Sequence, residues 1–136
     1  MPVRGIDHVA ITVEDVERTV GFYQSLLGAE VLFLDRFRTG DFAVVTLVVG
    51  GNRINVHPSP PRAPERLVAR RPTPGAADIC FRWDGPLSEA IVLLERNGLP
   101  VIDGSSPRPA ADGSPGTSVY TLDPDGNLLE FLTTDR

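Results

Sequence analysis

An internal repeat constrains this chain more than any other feature of its sequence. When the sequence is aligned with itself at an offset of 70 residues, GIDHVAITV lies over GAADICFRW, so that Gly5 matches Gly75 and His8 matches Asp78. Further along, LLGAEV lies over RNGLPV. With five extra residues in the second copy, VVTLVVGGNRIN then lies over VYTLDPDGNLLE and matches Thr46 with Thr121. Self-similarity of this kind indicates that one structural unit occurs twice.

Each copy begins with a pattern that is typical of a strand followed by a helix. The alternation of apolar residues in GIDHVAITV and GAADICFRW favours a strand with one buried face. A helical stripe follows each strand and consists of Val16, Val20, Tyr23 and Leu27 in the first copy and of Leu87, Ile91 and Leu94 in the second. Asp15 or Glu14 is expected to start the first helix. Gly28 and Gly98 are expected to end the two helices, because glycine adopts a left-handed terminal conformation at little cost.

Three short strands are predicted to complete each copy. They are Val31–Phe37, Asp41–Val49 and Arg53–His57 in the first copy, and Val101–Asp103, Thr117–Leu122 and Leu128–Thr133 in the second. The predicted fold class is therefore α+β, with two tandem β-α-β-β-β modules in a single domain. Module one spans residues 1–57, module two spans residues 76–136, and a connector rich in proline and arginine spans residues 58–75. A second irregular stretch, residues 103–116, is long enough to cover a site.

Composition excludes several classes of protein. The net charge is -5, with 18 acidic and 13 basic residues, whereas proteins that bind nucleic acids usually present a basic surface. The single cysteine excludes an internal disulfide framework. Without a cationic leader or a long apolar segment, the chain is expected to be a soluble, cytoplasmic protein that does not bind membranes.

The alternation of strand side chains predicts which residues face away from the helices. If Val9, Ile11 and Val13 pack on the first helix, His8 lies on the opposite face. In the second copy, Ile79, Phe81 and Trp83 are then expected against the helix, with Cys80 opposite. The repeat makes Asn55 and Glu130 equivalent. The complete polar set predicted for the faces away from the helices is His8, Asn55, His57, Asp78, Arg82 and Glu130.

Carboxylates within apolar strands need a physical explanation. Burying an unpaired ionised carboxylate costs on the order of several kcal/mol, so Glu130 and Asp78 require a cation, a hydrogen-bonding partner or a water-filled cavity. Histidine together with carboxylates suits Zn²⁺, Mn²⁺, Fe²⁺ or Ni²⁺ better than copper(I). Glu130 is the strongest candidate, since it stands in the middle of an apolar strand.

Most of the other candidates also have an ordinary structural interpretation. His8 is either a metal ligand or a hydrogen-bonded core histidine. Asp78 either faces a site, caps a turn or pairs with Arg82. His57 precedes Pro58 at a strand end, where a solvent-facing histidine is common. Cys80 is expected to be a small apolar filler and not a nucleophile, because no neighbour in sequence lowers its pKa.

Three side chains are candidates for contacting a substrate. Arg82 either binds an anionic group or neutralises a carboxylate. Asn55 lies on the predicted polar face. Tyr120 lies on a predicted strand beside Thr121, and the sequence alone leaves open which of these two residues faces the site.

The sequence resembles the vicinal oxygen chelate superfamily, which includes glyoxalase I, extradiol dioxygenases, fosfomycin-resistance enzymes and bleomycin-binding proteins. DHVAITVEDVERTVGFYQSLLGAEV and DPDGNLLEF carry the resemblance, which covers nearly the whole chain. INVHPSP, PTPGAADICF and DPDGNLLEF further resemble a glyoxalase-domain-containing branch with virulence-associated bacterial members.

This resemblance implies a U-shaped, mixed-sheet cup that holds a divalent metal ion, which binds adjacent oxygens of a substrate. Carried over from the family, the ligand positions are His8, Asn55, Asp78 and Glu130. Glyoxalase I commonly has glutamate at the position of Asn55 and histidine at that of Asp78, so this set is incomplete, and His57 is a candidate for the missing ligand. Glu130 is also the expected catalytic residue, and the family implies a homodimer or fused modules.

Three functions are open at this point. The first is a metal-dependent, glyoxalase I-like lyase or isomerase, in which the ion acts as a Lewis acid and a carboxylate moves a proton. The second is a metal-free protein that binds a small molecule or an antibiotic, as bleomycin-resistance proteins do. The third is an extradiol dioxygenase, which needs two histidines and one carboxylate as ligands.

Overall fold

The computed structural model describes residues 2–135. In chain order its elements are β1 (Val9–Val13), α1 (Val16–Leu27), β2 (Glu30–Leu32), α2 (Leu34–Arg38), β3 (Val45–Val49), β4 (Asn52–Pro58), a 3-10 helix (Glu65–Leu67), β5 (Asp78–Arg82), α3 (Leu87–Arg96), β6 (Asp103–Pro107), β7 (Thr117–Leu122) and β8 (Leu128–Thr133). The α+β class is confirmed. The chain divides into two compact units, unit 1 (Met1–Ala76) and unit 2 (Ala77–Arg136), and the connector belongs to unit 1.

Each unit contains one four-stranded mixed sheet with the same strand order. The order is β1-β4-β3-β2 in unit 1 and β5-β8-β7-β6 in unit 2. In both sheets the first strand runs parallel to the last, and Val9 pairs with Ile54 as Ile79 pairs with Leu129. The predicted repeat is therefore also a repeat of sheet topology and of register.

The sequence alignment of the two copies is wrong by one residue in the third strand of each sheet. Asn55 lies opposite Thr46, whereas Glu130 lies opposite Tyr120. Thr46 is thus structurally equivalent to Tyr120 and not to Thr121. The cause is the turn between the third and fourth strands, which is one residue longer in unit 2. Residues 50–51 form this turn in unit 1. Residues 124–126 form it in unit 2, where the Asp123 amide donates a hydrogen bond to the Asn127 carbonyl.

Helix α1 begins and ends where the sequence predicts. The side chain of Asp15 accepts a hydrogen bond of 3.0 Å from the amide of Arg18, which satisfies one of the free donors of the first turn. Gly28 adopts the left-handed conformation with φ of 63° and ends the helix. The buried residues of α1, which packs against β2, β3 and β4, are Val16, Thr19, Val20, Tyr23 and Leu26.

The predicted strand Val31–Phe37 is wrong beyond Leu32. The strand ends at Leu32, and helix α2 follows. Phe37 is buried, and the guanidinium of Arg62 lies 3.8 Å from the centre of its ring and donates a 2.6 Å hydrogen bond to its carbonyl oxygen. This contact with the connector stabilises a helical turn in a segment that begins with four consecutive apolar residues, a run that is also compatible with a buried strand.

The second strand of unit 2 also differs from the prediction. The strand predicted at Val101–Asp103 starts only at Asp103, as β6, and it extends into the stretch that was expected to be irregular. Ser106 pairs with Ser118, and beyond the strand the Arg108 amide donates a 3.0 Å hydrogen bond to Gly116. Backbone pairing with β7 therefore orders this polar segment as a hairpin. Helix α3 packs on β7 and β8 through its buried residues Leu87, Ala90 and Leu94.

No helix within residues 2–135 is both long enough and apolar enough to cross a lipid bilayer.

Candidate functional site

The face of each sheet that points away from its helix is called here the open face. In unit 2 the strand register places Cys80, Glu130, Tyr120 and Asp103 side by side, one on each of the four strands. Leu129 and Phe131, the neighbours of Glu130 in β8, point to the other side and are buried under α3. The predicted parity therefore holds in unit 2, and it settles that Tyr120 shares a face with Glu130. Thr121 is fully buried and donates to the Pro100 carbonyl.

A buried neutral donor orients the carboxylate of Glu130. The fully buried Ser118 hydroxyl donates to Oε2 at 2.6 Å. Cys80 and Tyr120 lie directly opposite Glu130 on the two neighbouring strands. Burial, followed by the interactions with Glu130, raises the pKa of Tyr120, while Arg108 acts in the opposite direction. A hydroxyl donor of this kind holds a carboxylate in place without a cation next to it.

Cys80 is exposed and is therefore not the apolar filler expected from the sequence. Partial burial of the sulfur and the negative charge of Glu130 raise the pKa of Cys80 to about 11. At neutral pH the side chain is a protonated thiol, which is a poor nucleophile.

A pocket of about 360 Å³ opens on this face of unit 2. Its lining residues are Asp78, Ile102, Asp103, Arg108, Tyr120, Leu128 and Glu130. Arg108 is a pocket residue that sequence reasoning missed. Its Nε donates a 3.0 Å hydrogen bond to the Tyr120 hydroxyl. The sequence indicated only that residues 103–116 are long enough to cover a site, and the pairing that brings Arg108 to the sheet is not visible in the local pattern.

Arg82 and Asp78 do not form the ion pair considered from the sequence. Arg82 Nη2 donates a 2.8 Å hydrogen bond to the Thr134 hydroxyl, so the guanidinium is held at the end of β8. Asp78 is exposed and lines the pocket, while Arg82 does not. Of the candidates in unit 2, the fold thus brings Asp78, Tyr120 and Glu130 to one pocket and leaves Arg82 beside it.

Of the other three candidates, Asn55 and His57 lie on the open face of unit 1, and His8 directly precedes β1. His8 is exposed, and its Nδ1 lies 2.8 Å from Asp7 Oδ1 in a hydrogen bond that also lowers the pKa of Asp7. A histidine held by a carboxylate at Nδ1 presents Nε2 outward. Asn55 accepts a 2.7 Å hydrogen bond from the Thr46 hydroxyl, so its carbonyl oxygen is already bound by a neighbouring strand.

His57 is half-buried, and its Nδ1 has no hydrogen-bond partner within the described residues. Burial, and then the charge of His8, lower the pKa of His57. The ring is therefore held in the neutral form, which is the form that binds a metal ion or accepts a proton. A larger pocket of unit 1, about 960 Å³, lies within the connector at residues 60–72 and contains none of these candidates.

Residues 5–131 match the family model of the Glyoxalase/Bleomycin resistance protein/Dioxygenase superfamily. The chain belongs to this superfamily. It is 33% identical to virulence protein STM3117 of Salmonella typhimurium over 96% of this chain and 85% of that protein. The crystal structure of STM3117 superimposes with a TM-score of 0.84, at 32% identity and 98% coverage of both chains. The chain is also 36% identical to glyoxalase domain-containing protein RDO1 of Mycosarcoma maydis, over 96% of this chain and 69% of that protein.

More distant similarities are to an epimerase and, in fold, to a fosfomycin-resistance protein. An ethylmalonyl-CoA/methylmalonyl-CoA epimerase of Cereibacter sphaeroides is 28% identical over 93% of this chain and 95% of that protein. A FosX fosfomycin-resistance variant from Listeria monocytogenes, crystallised with Mn(II), shares the fold at 21% identity and a TM-score of 0.66, covering 96% of this chain and 92% of that one.

The superfamily pattern of ligands is only partly matched by the arrangement of these side chains. His8 and Glu130 have the usual residue types. Asn55, at a position where a glutamate is common, is engaged by Thr46. Within residues 2–135, no group of three or more histidine, cysteine, aspartate or glutamate side chains is arranged to hold one metal ion.

Proposed function

We propose that the protein is a glyoxalase-type enzyme, of the lyase or isomerase kind, that acts on a small molecule with adjacent oxygens and depends on a divalent metal ion. The observation that carries this proposal is the carboxylate of Glu130, which lines a pocket, accepts a 2.6 Å hydrogen bond from Ser118 and lies opposite Tyr120 and Cys80 on the neighbouring strands. A carboxylate oriented by a neutral donor beside a pocket is suited to accept and return a proton. The similarity to an epimerase supports the same kind of chemistry.

Four side chains of unit 2 have roles in this chemistry. Glu130 moves a proton at a carbon next to a carbonyl group of the substrate. Ser118 holds the carboxylate in one orientation through its 2.6 Å hydrogen bond. Tyr120 and Asp78 line the pocket, where the tyrosine hydroxyl donates a hydrogen bond to an oxygen of the substrate and the aspartate accepts one from a substrate hydroxyl.

The side chains proposed as metal ligands individually fit a divalent ion. Asp7 orients the ring of His8 through Nδ1, as the carboxylate partners of metal-binding histidines do. The other candidate ligands are the neutral ring of His57 in unit 1 and the carboxylates of Glu130 and Asp78 in unit 2. When bound, the ion would supply Lewis acidity toward the oxygens of the substrate. Asn55 is left out of the proposed set, because its oxygen is bound by Thr46.

The experiment that tests metal dependence is a calorimetric titration of chelator-treated protein with Mn²⁺, Ni²⁺, Zn²⁺ and Fe²⁺. We expect binding of at least one ion, and weaker binding in both His8→Ala and Glu130→Gln. Glu95→Gln is the matched control, because Glu95 is exposed on α3, and it should bind as the native protein does. His57→Ala and Asp78→Asn then identify the third ligand. A native protein that binds none of the four ions contradicts the proposal.

The proposed chemistry has its own test. In deuterated water with the bound metal, the enzyme should exchange hydrogen at the carbon atoms of dihydroxyacetone, which NMR detects as loss of the proton signal. Glu130→Gln should abolish this exchange, while Glu95→Gln should not change it. Exchange that is as fast in Glu130→Gln as in the native protein rules out Glu130 as the base.

A metal-free binding protein is the second candidate. Two observations favour it. No three-ligand group occurs among residues 2–135, and the residues that line the pocket of about 360 Å³ all belong to unit 2. It predicts that ligand affinity is the same with and without chelator, whereas the metal-dependent enzyme loses affinity when chelator is added.

We also propose a homodimer located in the cytoplasm. The superfamily resemblance supports the dimer, and the single cysteine agrees with a reducing compartment. Light scattering coupled to size-exclusion chromatography measures the mass, for which we expect twice that of the chain. A mass equal to the 14.7 kDa of one chain contradicts the dimer.

A further inference from the structure

The pocket of unit 2 contains an arginine for which the proposed chemistry has no role. The backbone of Arg108 is fixed by the 3.0 Å hydrogen bond from its amide to Gly116. Its Nε donates to the Tyr120 hydroxyl at 3.0 Å, and its Nη1 donates to the Pro107 carbonyl at 2.9 Å. Because a guanidinium carries five N–H donors, these two contacts leave donors on both terminal nitrogens. The side chain is therefore positioned and still able to bind a ligand.

The other charges of the pocket limit what this ligand can be. Asp78, Asp103 and Glu130 are carboxylates, and Arg108 is the one cation among the described residues that line this pocket. A guanidinium binds a carboxylate with two parallel hydrogen bonds, while carboxylates of the protein accept hydrogen bonds from hydroxyl groups. A second anionic group on the ligand would meet one of the three acids, and like charges at such distances repel each other.

We infer that the pocket of unit 2 binds a small monoanionic hydroxy acid, whose carboxylate pairs with Arg108 and whose hydroxyls donate to Asp78 and Asp103. This inference rests on the proposed function for its claim that the ligand is the substrate, and it names the chemical class of that substrate. A volume of about 360 Å³ is in the range of pockets for small molecules. Ile102 and Leu128 supply apolar wall on which the carbon chain can lie.

The test compares four probes that share one six-carbon polyhydroxy chain and differ in their ends. D-gluconate has one carboxylate, D-glucitol has none, D-glucarate has two, and D-glucamine carries an amine. Calorimetry on chelator-treated protein should show the tightest binding for gluconate. Glucitol should bind about tenfold more weakly or worse, since it lacks the charge-assisted contact. Glucarate and glucamine should also bind more weakly than gluconate.

Variants connect this preference to the arginine. Arg108→Gln should bind gluconate no better than glucitol. Arg108→Lys should keep part of the preference, because it keeps the positive charge but cannot form the bidentate pair of hydrogen bonds with a carboxylate. Arg70→Gln, in the exposed connector, is the matched control and should behave as the native protein does. Thermal melts of each variant establish that it is folded at the temperature of the titration.

Three results would overturn the inference: no binding of gluconate, tightest binding of glucamine, or a gluconate preference that survives in Arg108→Gln. Binding is measured without metal, so this outcome is separate from that of the proposed function. A protein that fails the metal titration can still prefer gluconate, and a metal-dependent enzyme can still fail to bind it.

Discussion

Ser118 donates a 2.6 Å hydrogen bond to the carboxylate of Glu130 from the neighbouring strand of the sheet. The two residues are diagonal neighbours, because Ser118 lies opposite Leu132 and Glu130 lies opposite Tyr120. Both therefore project from the open face of unit 2, and the fully buried serine can reach the carboxylate without distortion.

Ser118→Ala should lower both stability and activity. The variant removes a buried donor to a carboxylate, which costs about 1–3 kcal/mol of unfolding free energy. Urea denaturation measures this loss, and the proton-exchange rate measures the effect on Glu130. Ser25→Ala, at an exposed position of α1, is the control and should change stability by roughly 0.5 kcal/mol or less. Equal effects of the two substitutions would show that the Ser118 contact contributes nothing.

Gly116→Ala should destabilise the protein and displace Arg108. A methyl group at Gly116 would lie 2.9 Å from the carbonyl oxygens of both Arg108 and Thr133, and backbone atoms cannot move aside easily. We expect a loss of about 1–3 kcal/mol. Gly21→Ala is the matched control and should raise the free energy of unfolding. No atom outside the neighbouring helix backbone lies within 4 Å of the added carbon, and alanine is more stable than glycine in a helix interior by roughly 0.5–1 kcal/mol. Thermal melts that rank the two variants the other way contradict this argument.

Cys80 should react slowly with iodoacetamide at neutral pH. Its pKa is raised to about 11, so the thiolate population should rise steeply only at strongly alkaline pH. Glu130→Gln removes a nearby negative charge and should lower this pKa, which increases the alkylation rate at pH 8. Mass spectrometry of the alkylated chain gives the rate, and the urea-unfolded protein supplies the reference thiol. A folded protein that reacts as fast as the unfolded one contradicts the shift.

His57 should resist protonation as the pH falls. Its pKa is lowered by burial and by the charge of His8, so the folded state favours the neutral ring. The contribution of the neutral His57 ring to the free energy of unfolding is fully present above the pKa of the unfolded state, about 6.5. It is lost as the pH falls through the lower pKa of the folded state. Because the chain has two histidines, the imidazole signals in the NMR spectrum of His8→Gln come from His57 alone. Its pKa should be higher in this variant than in the native protein, and an unchanged or lower value would contradict the coupling.

Much of the fold and part of the candidate site could be predicted from local patterns. The bounds of β7 and β8, the Asp15 cap and the Gly28 terminus follow from periodicity and capping over a few residues. The shared face of Asp78 and Glu130 follows from strand alternation together with the repeat. Helix α2 could not be predicted in this way, because Phe37 is held by Arg62, 25 residues further along the chain.

The sequence by itself determined that one β-α-β-β-β module occurs twice and that Glu130 stands among apolar neighbours in a strand. Both properties follow from the spacing of residues along the chain, which does not depend on contacts between distant residues. The tertiary structure alone decided that Tyr120 lies opposite Glu130, that Thr46 binds the oxygen of Asn55, and that Arg108 reaches the pocket. Those relationships depend on which backbone groups pair between strands, and a single extra residue in the turn at residues 124–126 shifts that pairing without changing the pattern of either strand.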